Sequence, residues 1–185
     1  MAEQRLVFPM LVEGFVRVAG PAVTPALKDA LRKVGLDLDR PLPPAWETTH
    51  VQQWMDLFAK ASFPEAAPDE AMRLMGRAFL QAWQSTLLGG ATALVLRTVG
   101  PARSLSKLQR AFRTGDNFTE VVITELQTAP PLRSAHVVLN EVQGRAEYFQ
   151  GVLEAGALMV GAKNPSVTRL PLEGPGAKFL LRYQT

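Results

Sequence analysis

No cysteine occurs anywhere in the 185 residues. That absence removes disulfides, thiolate nucleophiles, iron–sulfur clusters and zinc sites of the cysteine type. Histidine is scarce as well: only His50 and His136 are present, and nothing in the sequence shows that they meet. Charge of neither sign dominates. Twenty Lys and Arg against 17 Asp and Glu leave a formal charge of +3, which tolerates anionic partners but lacks the dense basic stripe or motif that nucleic-acid binding calls for. No nucleic-acid partner is expected. No apolar run reaches the roughly 18 residues of a membrane span, and the opening MAEQRLVFPMLVEGF lacks the charged, apolar, then small order of a signal peptide. The chain is read as cytoplasmic, with no membrane span. No internal repeat and no low-complexity tract is visible.

What is present is apolar material: 47% of the chain, enough at this length for one core, so residues 1–185 are read as a single domain. Residues 1–113 read as mainly helical. Residues 8–19 fit a helix better than a strand. Thr24-Pro25 supplies an N-cap and a first-turn proline, Leu27, Leu31 and Val34 continue the stripe, and Gly35 stops it. Residues 36–45 hold three prolines and form an extended connector. Helix resumes after Thr48-Thr49 with Val51, Trp54, Met55 and Phe58 on one face. Pro68-Asp69-Glu70 opens a central helix striped by Met72, Met75, Phe79, Trp83 and Leu87. Gly89-Gly90 is the expected point of a break or kink before residues 91–99, and Gly100-Pro101 ends that segment.

From residue 114 the lettering turns β-branched. Strands are expected at 118–126 and 135–142, joined through Pro130-Pro131, then a helix over 146–160, then strands near 166–172 and 177–183. The fold class is α+β: a helical N-terminal part followed by β-β-α-β-β, in which residues 114–185 form a four-stranded antiparallel sheet with one helix. In that helix Phe149, Val152, Leu153, Gly156 and Val160 share the face expected on the sheet, with Gly156 allowing close backbone approach and Glu147, Gln150 and Glu154 opposite.

Few stretches point to chemistry. Arg103, Lys107, Arg110 and Arg113 form a basic stripe on the helix expected over 101–112, which reads as an anion or partner-docking face or, more simply, as solvated cations near a helix end. Residues 114–117 leave a helix and enter a strand, so the helix dipole has the wrong sign for a phosphate loop, and the joint reads as a corner. His136 and His50 read as a hydrogen-bonded strand residue and a surface residue. Glu120, Glu125 and Glu141 lie on expected strands without defining a carboxylate pair. No catalytic residue and no metal site is assigned, and no cofactor is expected.

Two resemblances rest on motifs spread along the chain. The element order, GLDLD with its proline-rich connector, WMDLFAKASF, PDEAMRLMGRAFLQAW, DNFTEVVITEL and FQGVLEAGALMVGA together resemble the haem–nitric-oxide/oxygen-binding (H-NOX) sensor domains. That resemblance implies their fold, but not their haem. The iron-binding His of those domains would fall in PARSLSKLQRAF, which has no His, Cys, Met or Tyr. Their Tyr-x-Ser-x-Arg clamp would fall near Val138-x-Asn140-x-Val142. A nearer resemblance, on VFPMLVEG, GLDLDRPL, FRTGDNFTEV and YFQGVLEAG, is to a many-paralogue family of uncharacterised proteins restricted to myxobacteria, which brings no activity with it.

The function expected from all this is a non-enzymatic sensor-like or interaction module. If the relatives' pocket between helical part and sheet is retained, Met75, Phe79, Trp83, Leu105, Phe112 and Val138 would line it for a small apolar ligand; the same residues would equally fill a core. The rivals are an adaptor binding another protein or a second copy of itself, with Met72, Met75 and Met159 as adaptable contacts, and an enzyme in which Glu120, Glu141 or Asp116 meets Arg113 or Arg145.

Overall fold

The structure is a computed structural model that describes residues 4–47, 50–129 and 132–184. The helical part starts with a two-residue strand, β1 (Leu6–Val7), then α1 (Pro9–Ala19) and α2 (Pro25–Lys33). Thr24 caps α2 through its side chain, which accepts from the Leu27 amide, and Leu27 and Leu31 bury the stripe. The proline-rich connector returns to pair β2 (Trp46–Glu47) antiparallel with β1. Next come α3 (Val51–Ser62) and α4 (Pro68–Gln84). Val51, Trp54, Met55 and Phe58 are buried on α3, and Met72 and Met75 on α4. The expected helix start at Thr48-Thr49 and the Pro130-Pro131 turn lie outside the described residues.

Two expected boundaries moved. Before α5 (Leu87–Val99) the chain breaks at Ser85-Thr86, not at Gly89-Gly90. The Thr86 hydroxyl both donates to Trp83 O and accepts from Gly89 N, closing one helix and capping the next. Leu87 therefore leaves the buried stripe of α4 and stands 94% exposed. The helix expected over 101–112 is two short ones, α6 (Pro101–Leu105) and α7 (Leu108–Phe112). Ser104 Oγ donates to the Gly100 and Leu96 carbonyls and Ser106 Oγ to Arg103 O. Such local side-chain bonds compete with the helical ladder and end it.

The C-terminal part is β3 (Val121–Gln127), β4 (Arg133–Leu139), α8 (Ala146–Met159), β5 (Lys163–Leu170) and β6 (Ala177–Gln184). They form one antiparallel sheet in the order β3-β4-β6-β5. Alternation buries Ala135, Val137 and Leu139 of β4 and Ala177, Phe179, Leu181 and Tyr183 of β6 on the inner face.

α8 joins the two parts, packing along α4 on one side and against β5 and β6 on the other. The expected polar face does not look outward as a whole. Glu154 is 5% exposed and accepts hydrogen bonds from the Arg73 and Arg77 guanidinium groups of α4, at 2.5 and 2.6 Å. The glycine of close approach is not Gly156, where an added Cβ would meet only Leu80 Cδ2 at 3.4 Å. It is the pair Gly76 and Gly151. A Cβ on Gly76 would lie 2.0 Å from Tyr148 O, and one on Gly151 would lie 2.0 Å from Arg73 O. At this crossing the α4 and α8 backbones touch, leaving room for weak Cα–H···O contacts.

Candidate functional site

Residues 114–117 are a corner, and the side chains of Asp116 and Asn117 are both engaged within the chain. Asp116 Oδ1 accepts from the Phe118 and Thr119 amides, and its Oδ2 accepts from the Thr119 hydroxyl. Asn117 reaches back to the first strand: its Oδ1 accepts from Leu6 N at 2.8 Å, its Nδ2 donates to Gln4 O at 2.9 Å, and its amide donates to Leu6 O. Phe8 N donates to Gly115 O. Further along the chain, Asn140 repeats the device by accepting from Glu120 N and donating to Phe118 O.

Beside this corner lies an open cleft of about 290 Å³, lined by Arg5, Arg113, Asn117, Phe118, Glu120 and Asn140. Its charges are already matched. Arg5 bridges Glu141 and lies over the Phe118 ring at 4.4 Å, while Arg113 donates to Asn117 O and stands 3.4 Å from Glu120. Arg145 is taken by Asp56 across the α3–α8 boundary, and this hydrogen bond holds its guanidinium pKa above the ordinary value. Of the carboxylate–arginine pairs weighed for an enzyme, Glu120 and Arg113 do meet in this cleft, whereas Glu141 is paired with Arg5 and Arg145 with Asp56. A second open groove, about 410 Å³, lies between α1 and the connector, with Arg17, Leu38, Arg40 and Leu42 among its walls.

Between helical part and sheet the space holds aromatic rings. Phe79 sits between Phe15 and Tyr148, with centroid distances of 5.8 and 6.0 Å. Its ring lies against Gly14, where any Cβ would come within 2.1 Å of it. Phe112 stacks on Phe149 at 5.7 Å and 21°. Tyr148 is buried at the centre, and burial, reinforced by the charge of Asp116, raises its phenol pKa far above the ordinary value.

The six expected lining residues therefore divide. Met75 and Leu105 are buried in the main core, with Phe79 and Phe112 packed against it. Trp83 belongs to a smaller cluster with Ala93, Met159 and Val160. Val138 lies on the other face of the sheet, because β4 directs its neighbours Val137 and Leu139 inward. The basic stripe spreads over α6, the link at Lys107, and α7. Arg103, Lys107 and Arg110 are exposed and make no ion pair among the described residues, whereas Arg113 belongs to the corner. His50 is exposed beside Gln53, and His136 Nδ1 lies 2.8 Å from Glu125 Oε1 on the outer sheet face. Sequence reading missed what carries Glu125 there: a bulge after Thr124, with Glu125 at φ +52°.

A helical part docked through one long helix onto a four-stranded β-β-α-β-β sheet defines an α+β domain of H-NOX-like fold. The chain is similar over 95% of its length, and 93% of the other chain, to a double variant of Tt H-NOX, with a TM-score of 0.66 at 13% identity. It is similar to an oxygen-binding H-NOX domain related to soluble guanylate cyclases at a TM-score of 0.64 and 13% identity, over 94% and 92% of the two chains. A point variant of the T. tengcongensis H-NOX gives 0.59 at 12% identity, covering 94% of each. The chain belongs to the family described as protein of unknown function (DUF2378), whose model matches residues 5–184. No curated protein sequence matches it.

One of the structural neighbours is a haem protein, studied for distortion of its porphyrin. The residues here do not fit that group. Residues 101–112 offer no His, Cys, Met or Tyr, neither histidine faces the space between α4, α8 and the sheet, and Phe79 stands against Gly14. Among the described residues no three of His, Cys, Asp and Glu cluster to hold a metal ion. No helix among them is long and apolar enough to cross a membrane.

Proposed function

We propose that the chain is a non-enzymatic, sensor-like interaction module that has kept the H-NOX-like fold while closing the ligand space with its own side chains. The observation that carries this reading is Phe79. Its ring takes the volume a side chain at position 14 would need and packs edge-on to Phe15 and Tyr148. A close-packed aromatic centre favours use of the surface over use of the interior.

A second reading keeps a small apolar ligand between α4 and the sheet, lined by Met75, Phe79, Leu105 and Phe112. It is favoured by the half-buried setting of Phe79, whose ring could swing aside without crossing the deep core.

Native mass spectrometry of the gently purified chain separates the two. A mass equal to the chain or its multiples is the expected result. A co-purified apolar molecule, lost on denaturation, would establish the second reading, and a haem mass would overturn the argument from donor residues. The Phe79→Ala variant extends the test: opening a void against Gly14 should create binding of a small aromatic such as benzene, detected as a thermal shift that the wild type lacks.

A further inference from the structure

The connector between α2 and β2 is held extended by its own sequence. In Arg40-Pro41-Leu42-Pro43-Pro44 every residue from 40 to 43 is a proline or stands before one. The ring fixes φ at about −65°, and the residue ahead of a ring is pushed out of the α region, which together select the polyproline II conformation. Residues 41–43 accordingly form neither helix, strand nor turn, and bends fall at Arg40 and Pro44. Both ends are fastened. Asp37 and Asp39 are bridged to Arg32 and Lys28 of α2, while Trp46 pairs with Val7 and packs edge-on to Trp54. Burial along the stretch has a period of three: Leu42 and Ala45 are half-buried, whereas Arg40, Pro41, Pro43 and Pro44 are exposed. A polyproline II helix has three residues per turn and therefore three edges. The 42/45 edge lies toward the body, and the 40/43 and 41/44 edges face solvent. Among the described residues no hydrogen bond involves the backbone of residues 40–45. The open groove of about 410 Å³ between α1 and the connector leaves room beside Arg40 and Leu42 as well.

We propose that residues 40–44 are a docking ligand, a polyproline II segment that this chain presents to the aromatic-lined groove of another protein, with Arg40 meeting a carboxylate there. Grooves of that kind seat proline-rich segments in the P-x-x-P spacing between aromatic rings. Pro41 and Pro44 have that spacing and share an exposed edge. Arg40 meets Asp37 through Nε at 3.3 Å and is otherwise in solvent, 83% exposed, so its terminal nitrogens are available to a carboxylate of the partner. The partner is a different protein, because a second copy has no such groove: among the described residues every Phe, Tyr and Trp is buried or half-buried. With both ends of the segment already fastened, docking orders little chain. This role rests on the reading of the chain as an interaction module, but not on Phe79 filling the interior.

The probe is an isotope-labelled SH3 domain selective for arginine-flanked P-x-x-P ligands, titrated with the full chain and followed through the NMR resonances of its groove aromatics. Saturable shifts confined to that groove are expected. The folded chain should bind at least about threefold more tightly than a free peptide of residues 38–46, whose ends are loose. Pro41→Ala, Pro44→Ala and Arg40→Glu should each weaken binding by about fivefold or more with helical circular dichroism retained. Arg103→Glu, at an exposed cation elsewhere, should leave it unchanged. No shift at millimolar chain, shifts outside the groove, or indifference to the proline and Arg40 changes would each overturn the docking role. So would binding by the peptide but not by the chain, which would mean that the fold closes off the two edges. A ligand-free chain in native mass spectrometry that fails this titration loses the docking role alone, whereas a co-purified apolar molecule beside a positive titration removes only the closed interior.

Discussion

At position 76 a methyl group would have nowhere to go. Its carbon would lie 2.0 Å from the Tyr148 carbonyl oxygen, and the reciprocal clash at position 151 is with Arg73 O. Backbone cannot swing aside as a side chain can. Gly76→Ala and Gly151→Ala should each lose about 3 kcal/mol of stability or more in urea denaturation. Gly156→Ala should behave oppositely, staying level or gaining up to about 1 kcal/mol, since Leu80 Cδ2 is at ordinary contact distance and alanine favours helix. Sequence told that a glycine inside this helix meant close approach, but not which one. α8 is apolar on almost every face, so periodicity marks no single side as the contact. Glu154 was misplaced for the same reason: a carboxylate reads as solvated until two arginines from a helix 77 and 81 residues away are seen to enclose it.

At the scale of elements, helices announced by caps and stripes were legible: α2, α3, α4 and α8 begin within a few residues of where their punctuation places them. The breaks were not, because they are made by serine and threonine hydroxyls whose direction the sequence does not state. Thr86→Ala should loosen the α4–α5 joint by about 1 kcal/mol, seen as faster amide exchange at Gly89 and Gly90. Equally illegible was the guard on the sheet. β3 is an edge strand, and Gln109 of α7 covers part of it by accepting from Val121 N and donating to Thr119 O. It stands in for a missing strand, a common remedy for open edges. Gln109→Ala should cost about 1–2 kcal/mol and raise exchange at the Val121 amide while leaving the β4–β6 amides protected.

For the molecule as a whole, the β-β-α-β-β order and its antiparallel sheet were readable from alternation and turn residues, whereas the inventory of interior side chains was readable and their meeting places were not. Val138 and Val137 are neighbours in sequence and on opposite faces, so a slip of one residue decides who lines an interior. The interior also makes a prediction about pH. The two tyrosines, Tyr148 and Tyr183, are both buried, and burial raises both phenol pKa values, with Arg133 partly opposing it at Tyr183. A raised folded-state pKa means that the stabilising contribution is complete below the unfolded value near 10 and drains as pH rises above it, by about 1.4 kcal/mol per unit for a phenol that stays fully protonated. Phenolate absorbance should therefore stay absent through pH 10–11 and then appear in one cooperative step together with loss of helical circular dichroism. A gradual rise near pH 10 would mean that the centre is open to hydroxide.

Asn117 holds the first strand from more than a hundred residues away. During synthesis, residues 4–8 thus emerge long before this second partner exists, and α1 through α5 are made while β1 has only β2 to pair with. Residues 114–117 are the moment at which the beginning of the chain can be fastened, and the sheet is still unmade behind them. A nascent chain arrested just before Asn117 has cleared the ribosome should leave Leu6 and Val7, held by β2 alone, more readily cleaved by protease than one arrested some ten residues later, making this corner a timing mark in the chain's own assembly.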